Sequence, residues 1–156
     1  MTTTLLSETE SLFNNNVLNA SSISIAPGSG SNLKKSIDNP MDVGDGRLEY
    51  AWAFNKRFQS RFEDLKIGDA IVFGNSTQKN IRVCFVKEKL QDMSNLQQWP
   101  YKSKTWGYGF YLSKPMVLKN ISYKKVVGVT GYKMFPTQLK LNNEDAQNVK
   151  ELILIR

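Results

Sequence analysis

The stretch Asp69-Ala70-Ile71-Val72-Phe73-Gly74-Asn75-Ser76-Thr77-Gln78-Lys79-Asn80-Ile81-Arg82-Val83-Cys84-Phe85-Val86-Lys87 spells a β-hairpin. The unbroken apolar run Ala70 to Phe73 suits a short buried strand, and Gly74-Asn75-Ser76-Thr77 brings the residues that close a turn. The return strand alternates, which puts Ile81, Val83 and Phe85 on one face. Upstream, Phe62-Glu63-Asp64-Leu65-Lys66-Ile67-Gly68-Asp69 reads as a turn that feeds the first strand. Asp69 at that strand entrance is assigned a turn-stabilising role ahead of a catalytic one, because Gly-Asp is ordinary turn chemistry.

Further along the chain, Trp106, Tyr108, Phe110 and Leu112 repeat with period two around Gly107 and Gly109, a strand that Pro115 ends. Met116-Val117-Leu118 gives another short strand. Ile121-Ser122-Tyr123 and Val126-Val127-Gly128-Val129 follow, and Leu139 and Leu141 suggest one more extended piece. The last element is helical: Asn142 or Asn143 caps it, Glu144 and Asp145 sit in its first turn, and Ala146, Val149, Leu152 and Ile153 form its apolar face.

Before the hairpin, aromatic residues set in only near Arg47, with Tyr50, Trp52, Phe54, Phe58 and Phe62. Residues 1–46 hold Phe13 alone and are rich in Ser, Thr, Asn and Gly, so they read as a polar, partly disordered N-terminal segment. Within it, Leu5 to Leu18 behind Ser7 is a weak helix and Ser22-Ile23-Ser24-Ile25 a brief strand. The expected fold is therefore α/β in the α+β sense: residues 47–156 form a curved, mostly antiparallel sheet or small barrel of about five or six strands with flanking helices and a C-terminal helix.

Composition narrows the function. Cys84 is the only cysteine and there is no histidine among the 156 residues. Zinc clusters, iron–sulfur sites, Cys-His pairs and Ser-His-Asp triads are thereby excluded, and neither a metal nor a cofactor is expected. Cys84, between Val83 and Phe85, reads as a small strand residue and not as a reactive thiol. With no apolar run of membrane-spanning length and no secretory leader in Met1 to Phe13, a soluble intracellular protein without a membrane partner is expected.

The formal charge of +7 is unevenly spread. Residues 1–50 carry three basic and six acidic side chains, a net −3, so the rest of the chain carries +10. Between Thr77 and Lys140, twelve lysines and arginines face only Glu88 and Asp92. A polyanion is the natural partner of such a field, since each neutralised phosphate releases condensed counterions. Lys79, Arg82, Lys102, Lys104, Lys124 and Lys125 are the candidate phosphate ligands. The stretch Trp99-Pro100-Tyr101-Lys102-Ser103-Lys104-Thr105-Trp106-Gly107-Tyr108-Gly109-Phe110-Tyr111 interleaves rings with lysines, as a surface that stacks bases and follows a backbone requires. At least two of these rings are expected in the core.

Tyr50-Ala51-Trp52-Ala53-Phe54-Asn55-Lys56-Arg57-Phe58, then Lys66 to Gly74, then the Ile81 to Val86 strand, then Trp106-Gly107-Tyr108-Gly109-Phe110 and Val117 to Tyr123 together resemble the PUA-like superfamily, in particular its YTH and EVE branches, over about residues 47–135. The resemblance implies a barrel-like sheet with flanking helices and an aromatic cage for a modified base. It matches Trp52 and Trp106 to cage walls, with Trp99 a competitor for the second, and makes Asn55, close behind Trp52, a candidate for a base edge; Tyr108 is a further base-binding candidate. Where YTH proteins show Phe-x-Gly-x-Ala, this chain has Ile81-Arg82-Val83-Cys84-Phe85. The functional expectation is a non-catalytic binding domain for RNA or DNA, with a possible effector domain or protein partner. The alternative is a regulatory module whose basic face binds an acidic protein.

Overall fold

The computed structural model describes residues 5–28, 33–34, 36–44, 46–55, 59–76, 79–91, 106–133 and 138–156, and for Phe54, Asn55 and Trp106 the backbone only. The strands are β1 (Ile23–Pro27), β2 (Met41–Asp42), β3 (Leu48–Asn55), β4 (Ala70–Gly74), β5 (Ile81–Leu90), β6 (Trp106–Leu112), β7 (Met116–Leu118) and β8 (Leu139–Lys140). The helices are α1 (Glu8–Asn19), α2 (Gln59–Glu63), α3 (Tyr123–Gly128) and α4 (Asn143–Ile153).

The β4–β5 hairpin is the centre of a curved, unclosed sheet ordered β2-β3-β6-β5-β4-β1-β8. Of its eight strands among the described residues, six (β3 to β8) come from residues 47–156, in keeping with the expected five or six, and the first 46 residues add β1 and β2. Pairing is antiparallel except between β1 and β4. Those two strands are inner strands of one sheet, which is why each is buried along nearly its whole length instead of alternating. β5 is long enough to serve two partners on one side: its first residues pair with β7 and its last with β6.

Side-chain alternation divides the core in two. Ile23, Ile25, Ala70, Val72, Ile81 and Val83 point to the face covered by helices, where they meet Phe13 and Val17 of α1, Val126 of α3 and Val149 and Ile153 of α4. Ala26, Ile71, Phe73, Cys84, Val86, Phe110 and Leu112 belong to a second cluster with Trp52, Phe62 and Leu65. Buried between apolar neighbours, the Cys84 thiol has its pKa pushed well above the usual thiol range, chiefly by desolvation.

The first 46 residues, expected to be mostly a polar leader, supply a helix and an inner strand. α1 begins at a capping box in which the Ser7 hydroxyl accepts from the Glu10 N–H at 3.1 Å and the Glu10 carboxylate accepts from the Ser7 N–H at 3.0 Å. It is fastened to the far end of the chain. Asn14 donates to the Ile155 carbonyl at 2.8 Å and accepts from the Ile155 N–H at 2.9 Å, while Lys150 donates to the Ala20 carbonyl at 2.8 Å. β1 lies between β4 and β8. No helix among the described residues is long and apolar enough to cross a membrane.

Candidate nucleic-acid interface

The pairing of β5 with β7 gathers exposed lysines at one end of the sheet. Ile81 lies opposite Leu118, and the Ile81 N–H donates to the Ile121 carbonyl at 3.1 Å, so Lys79 at the hairpin tip and Lys119 after β7 belong to the same end. Ser122 then caps α3 by accepting from the Lys125 N–H at 3.2 Å. Tyr123, Val126 and Val127 face inward, which leaves Lys124 and Lys125 outward. Helix and hairpin approach closely at Gly74, where a Cβ would stand 3.2 Å from Tyr123 Cδ2. Lys79, Lys119, Lys124 and Lys125 are exposed and form no ion pair among the described residues.

Arg82, Lys87 and Lys89 of the basic region are engaged within the protein, whereas Lys114, Lys133 and Lys140 are also exposed. Arg82 makes a two-pronged pair with Asp38, at 2.8 Å from Nε and 3.0 Å from Nη2, and also donates to the Asn80 carbonyl. Lys87 donates to Glu49, a carboxylate with 8% of its side chain exposed that Arg47 also holds at 3.3 Å. Arg47 in turn lies over the Tyr111 ring. Lys89 sits over the Phe62 ring at 4.6 Å. Lys102 and Lys104 lie outside the described residues.

The rings separate in the same way. Trp52 is 9% exposed and packs edge-on against Phe73 at 5.0 Å. A Cβ at Gly28 would meet its Cη2 at 2.9 Å, so the indole lies close against the chain after β1 and keeps little open face. Tyr108, half-buried, stacks on Phe62 at 4.9 Å, and Phe62 stacks on Phe110 at 5.3 Å. Trp106 opens β6 opposite Asn55, where a register shift interrupts the pairing of β3 with β6. Trp99 lies outside the described residues. Trp52 and Tyr108 are therefore two of the rings that pack with the interior.

Asp69, 1% exposed, accepts from the Ser22 hydroxyl at 2.7 Å and from the Lys66 N–H at 2.8 Å through the same oxygen. Gly68, at φ +93°, lets the chain turn there. The Ser22 bond ties the start of β4 to the residue before β1, and the Lys66 bond closes the turn that leads into β4.

A feature with no signal in the sequence is a cleft of about 280 Å³ lined by residues of β1, α2 and β8, among them Ser24, Arg61, Asp64, Tyr132, Gln138 and Lys140. Arg61 donates to the Gln138 carbonyl at 3.2 Å. Ser24 and Gln138 are 0% and 5% exposed, and Ser24 Oγ and Gln138 Oε1, both closed to solvent, have no hydrogen-bond partner among the described residues. A buried polar atom left so costs about 1–3 kcal/mol, which makes two at one cleft a feature that calls for an explanation. Tyr132, by contrast, keeps 41% of its surface exposed.

The arrangement defines a class: an α+β domain built on a curved, unclosed sheet. The solved structures to which it is similar include the ASCH protein of Zymomonas mobilis. A serine-to-alanine variant of that protein superposes with a TM-score of 0.58 at 9% identity, covering 83% of this chain and 95% of that one. The unsubstituted protein gives 0.55 at 8% identity over 83% and 94%. At such identity the likeness concerns the fold. No protein-family model and no curated protein matches the sequence.

Proposed function

We propose that this chain is a non-catalytic nucleic-acid-binding domain that holds phosphates on the lysine-rich end of its sheet. The observation that carries the reading is the group of exposed lysines Lys79, Lys119, Lys124 and Lys125, unpaired among the described residues, which two local contacts bring together, the β5–β7 pairing and the capped start of α3. The fold is compatible with it. Arg82 belongs to a structural ion pair in this reading and is not counted among the phosphate ligands. Trp106 and Trp99, from the stretch where rings alternate with lysines, are proposed to stack neighbouring bases, each contributing about 1–3 kcal/mol. Trp52, packed on Phe73, is not.

A fluorescence titration with single-stranded and duplex oligonucleotides, of RNA and of DNA, at a low and a high salt concentration tests the reading. Binding in the micromolar range that weakens steeply with salt is expected. No signal with any of the four at low salt would dispose of it, and a pull-down partner that survives nuclease treatment would then favour an acidic protein as the ligand.

A further inference from the structure

We infer that the groove between α1 and the β6–β7 link is the contact surface for a second copy of this chain, the two pairing about a two-fold axis. The groove arises where β5 changes partners. Val83 pairs with Met116 of β7 and Val86 with Leu112 of β6, and between them β5 meets only the link Ser113 to Pro115 on that side. α1 reaches this place through Phe13, whose ring meets Phe85 edge-on at 6.0 Å. What is left is an open groove of about 370 Å³ with a floor of Phe13, Val83, Phe85, Pro115 and Met116. The backbone of Phe85 is already bonded there: its N–H donates to Ser113 Oγ and its carbonyl accepts from the Ser113 N–H, both at 2.9 Å. Such a floor takes an apolar side chain.

The residues that border the groove point to its occupant. Leu12 of α1 stands on the rim with 61% of its surface exposed. A lone exposed leucine is ordinary on a protein surface. Here it is a ridge beside an apolar hollow, and a two-fold axis lets the Leu12 of each copy enter the groove of the other. The charges match in the same way. Glu8, one turn before Leu12 on the same face of α1, and Lys114, on the opposite wall, are both exposed. Neither forms an ion pair among the described residues. No lysine or arginine precedes Lys34, so the helix wall is acidic where the link wall is basic. An inverted second copy brings its Glu8 to Lys114 and its Lys114 to Glu8. At physiological salt, charges more than about 8 Å apart are largely screened, so these local contacts outweigh the long-range repulsion between two chains of net charge +7. Lys79, Lys119, Lys124 and Lys125 do not line the groove, so the pair keeps two lysine-rich ends.

The test is sedimentation of the full chain at physiological salt, without nucleic acid, from micromolar to about millimolar concentration. The average mass is expected to rise from that of one chain towards that of two. Leu12→Asp is expected to stay monomeric throughout and, because Leu12 is exposed, to keep the parent's thermal midpoint at the lowest concentration. Glu8→Lys and Lys114→Glu each set like charges against one another and are expected to weaken pairing about tenfold. The double swap is expected to restore it to within about threefold, which a merely structural role of either side chain would not produce. A parent chain that stays monomeric at the highest concentration would overturn the inference and leave the groove to a segment of another protein. Pairing that survives Leu12→Asp, or single swaps that the double swap does not rescue, would place the contact elsewhere and overturn it equally. None of these outcomes bears on oligonucleotide binding, so the reading of the lysine-rich end stands or falls separately.

Discussion

Tyr123 shows what a single side chain contributes to this fold. Its ring closes the contact between α3 and the hairpin, and its hydroxyl is buried without a partner among the described residues. Burial pushes the phenol up from 10.0 to about 12. Between those values the unfolded chain releases a proton that the folded protein keeps, so the unfolded state binds fewer protons and stability falls as pH rises. The contribution is whole below the unfolded value and is lost through the folded one. Tyr111 and Cys84, both raised chiefly by burial, act in the same direction. Urea unfolding at about pH 9 and about pH 11 is therefore expected to show a clear loss of stability at the higher pH, and Tyr123→Phe a smaller one. An equal loss in both proteins would mean that the Tyr123 phenol ionises alike in the folded and unfolded chain. The neighbouring lysines, by contrast, are positioned by backbone contacts, and residue type alone does not separate Lys124, which is exposed, from Arg82, which is paired with Asp38.

At the scale of elements, legibility follows local chemistry. The β4–β5 hairpin, the period-two strand β6 and the helix α4 behind Asn142 are all written in residues a few positions apart. α3 is harder to see: Val126, Val127 and Val129 are β-branched and suit a strand, and only the Ser122 cap and the spacing of Tyr123, Val126 and Val127 reveal a helix. The caps carry a testable share of stability. The Asn142 side chain accepts from the Asp145 N–H at 2.8 Å, and Asn142→Ala is expected to cost about 1 kcal/mol. Ser7→Ala is expected to cost a similar amount, because it opens the box that starts α1. The urea midpoint measures both, with an unchanged denaturant slope. No shift on Ser7→Ala would mean that α1 contributes nothing through its N-terminus.

For the whole molecule, the segment before residue 47 matters more than its composition suggests. Its Ser, Thr and Asn residues conceal five that are buried against the helix-covered face of the sheet: Phe13, Val17, Ala20, Ile23 and Ile25. Long-range pairing of β1 with β4 and β8 has no local signature. A chain starting at residue 47 would expose the edges of β4 and β8 and lose the lock between Asn14 and Ile155. It is expected to show no cooperative thermal transition, and a native-like melt of that fragment would contradict the topology. The cleft between β1, α2 and β8 is illegible for a related reason, since Ser24 and Gln138 are ordinary polar residues until the sheet brings them together. The charge excess can be read from the sequence, but the share of it that is free cannot.

That free charge is the centre of the account, and the salt dependence of single-strand binding measures it most directly. With Lys79, Lys119, Lys124 and Lys125 all replaced by Ala, the slope of log Kobs against log salt concentration is expected to become shallower by about 3, at about 0.7 for each phosphate no longer neutralised. A slope and affinity equal to those of the parent chain would show that these lysines do not touch the nucleic acid, and would contradict the account.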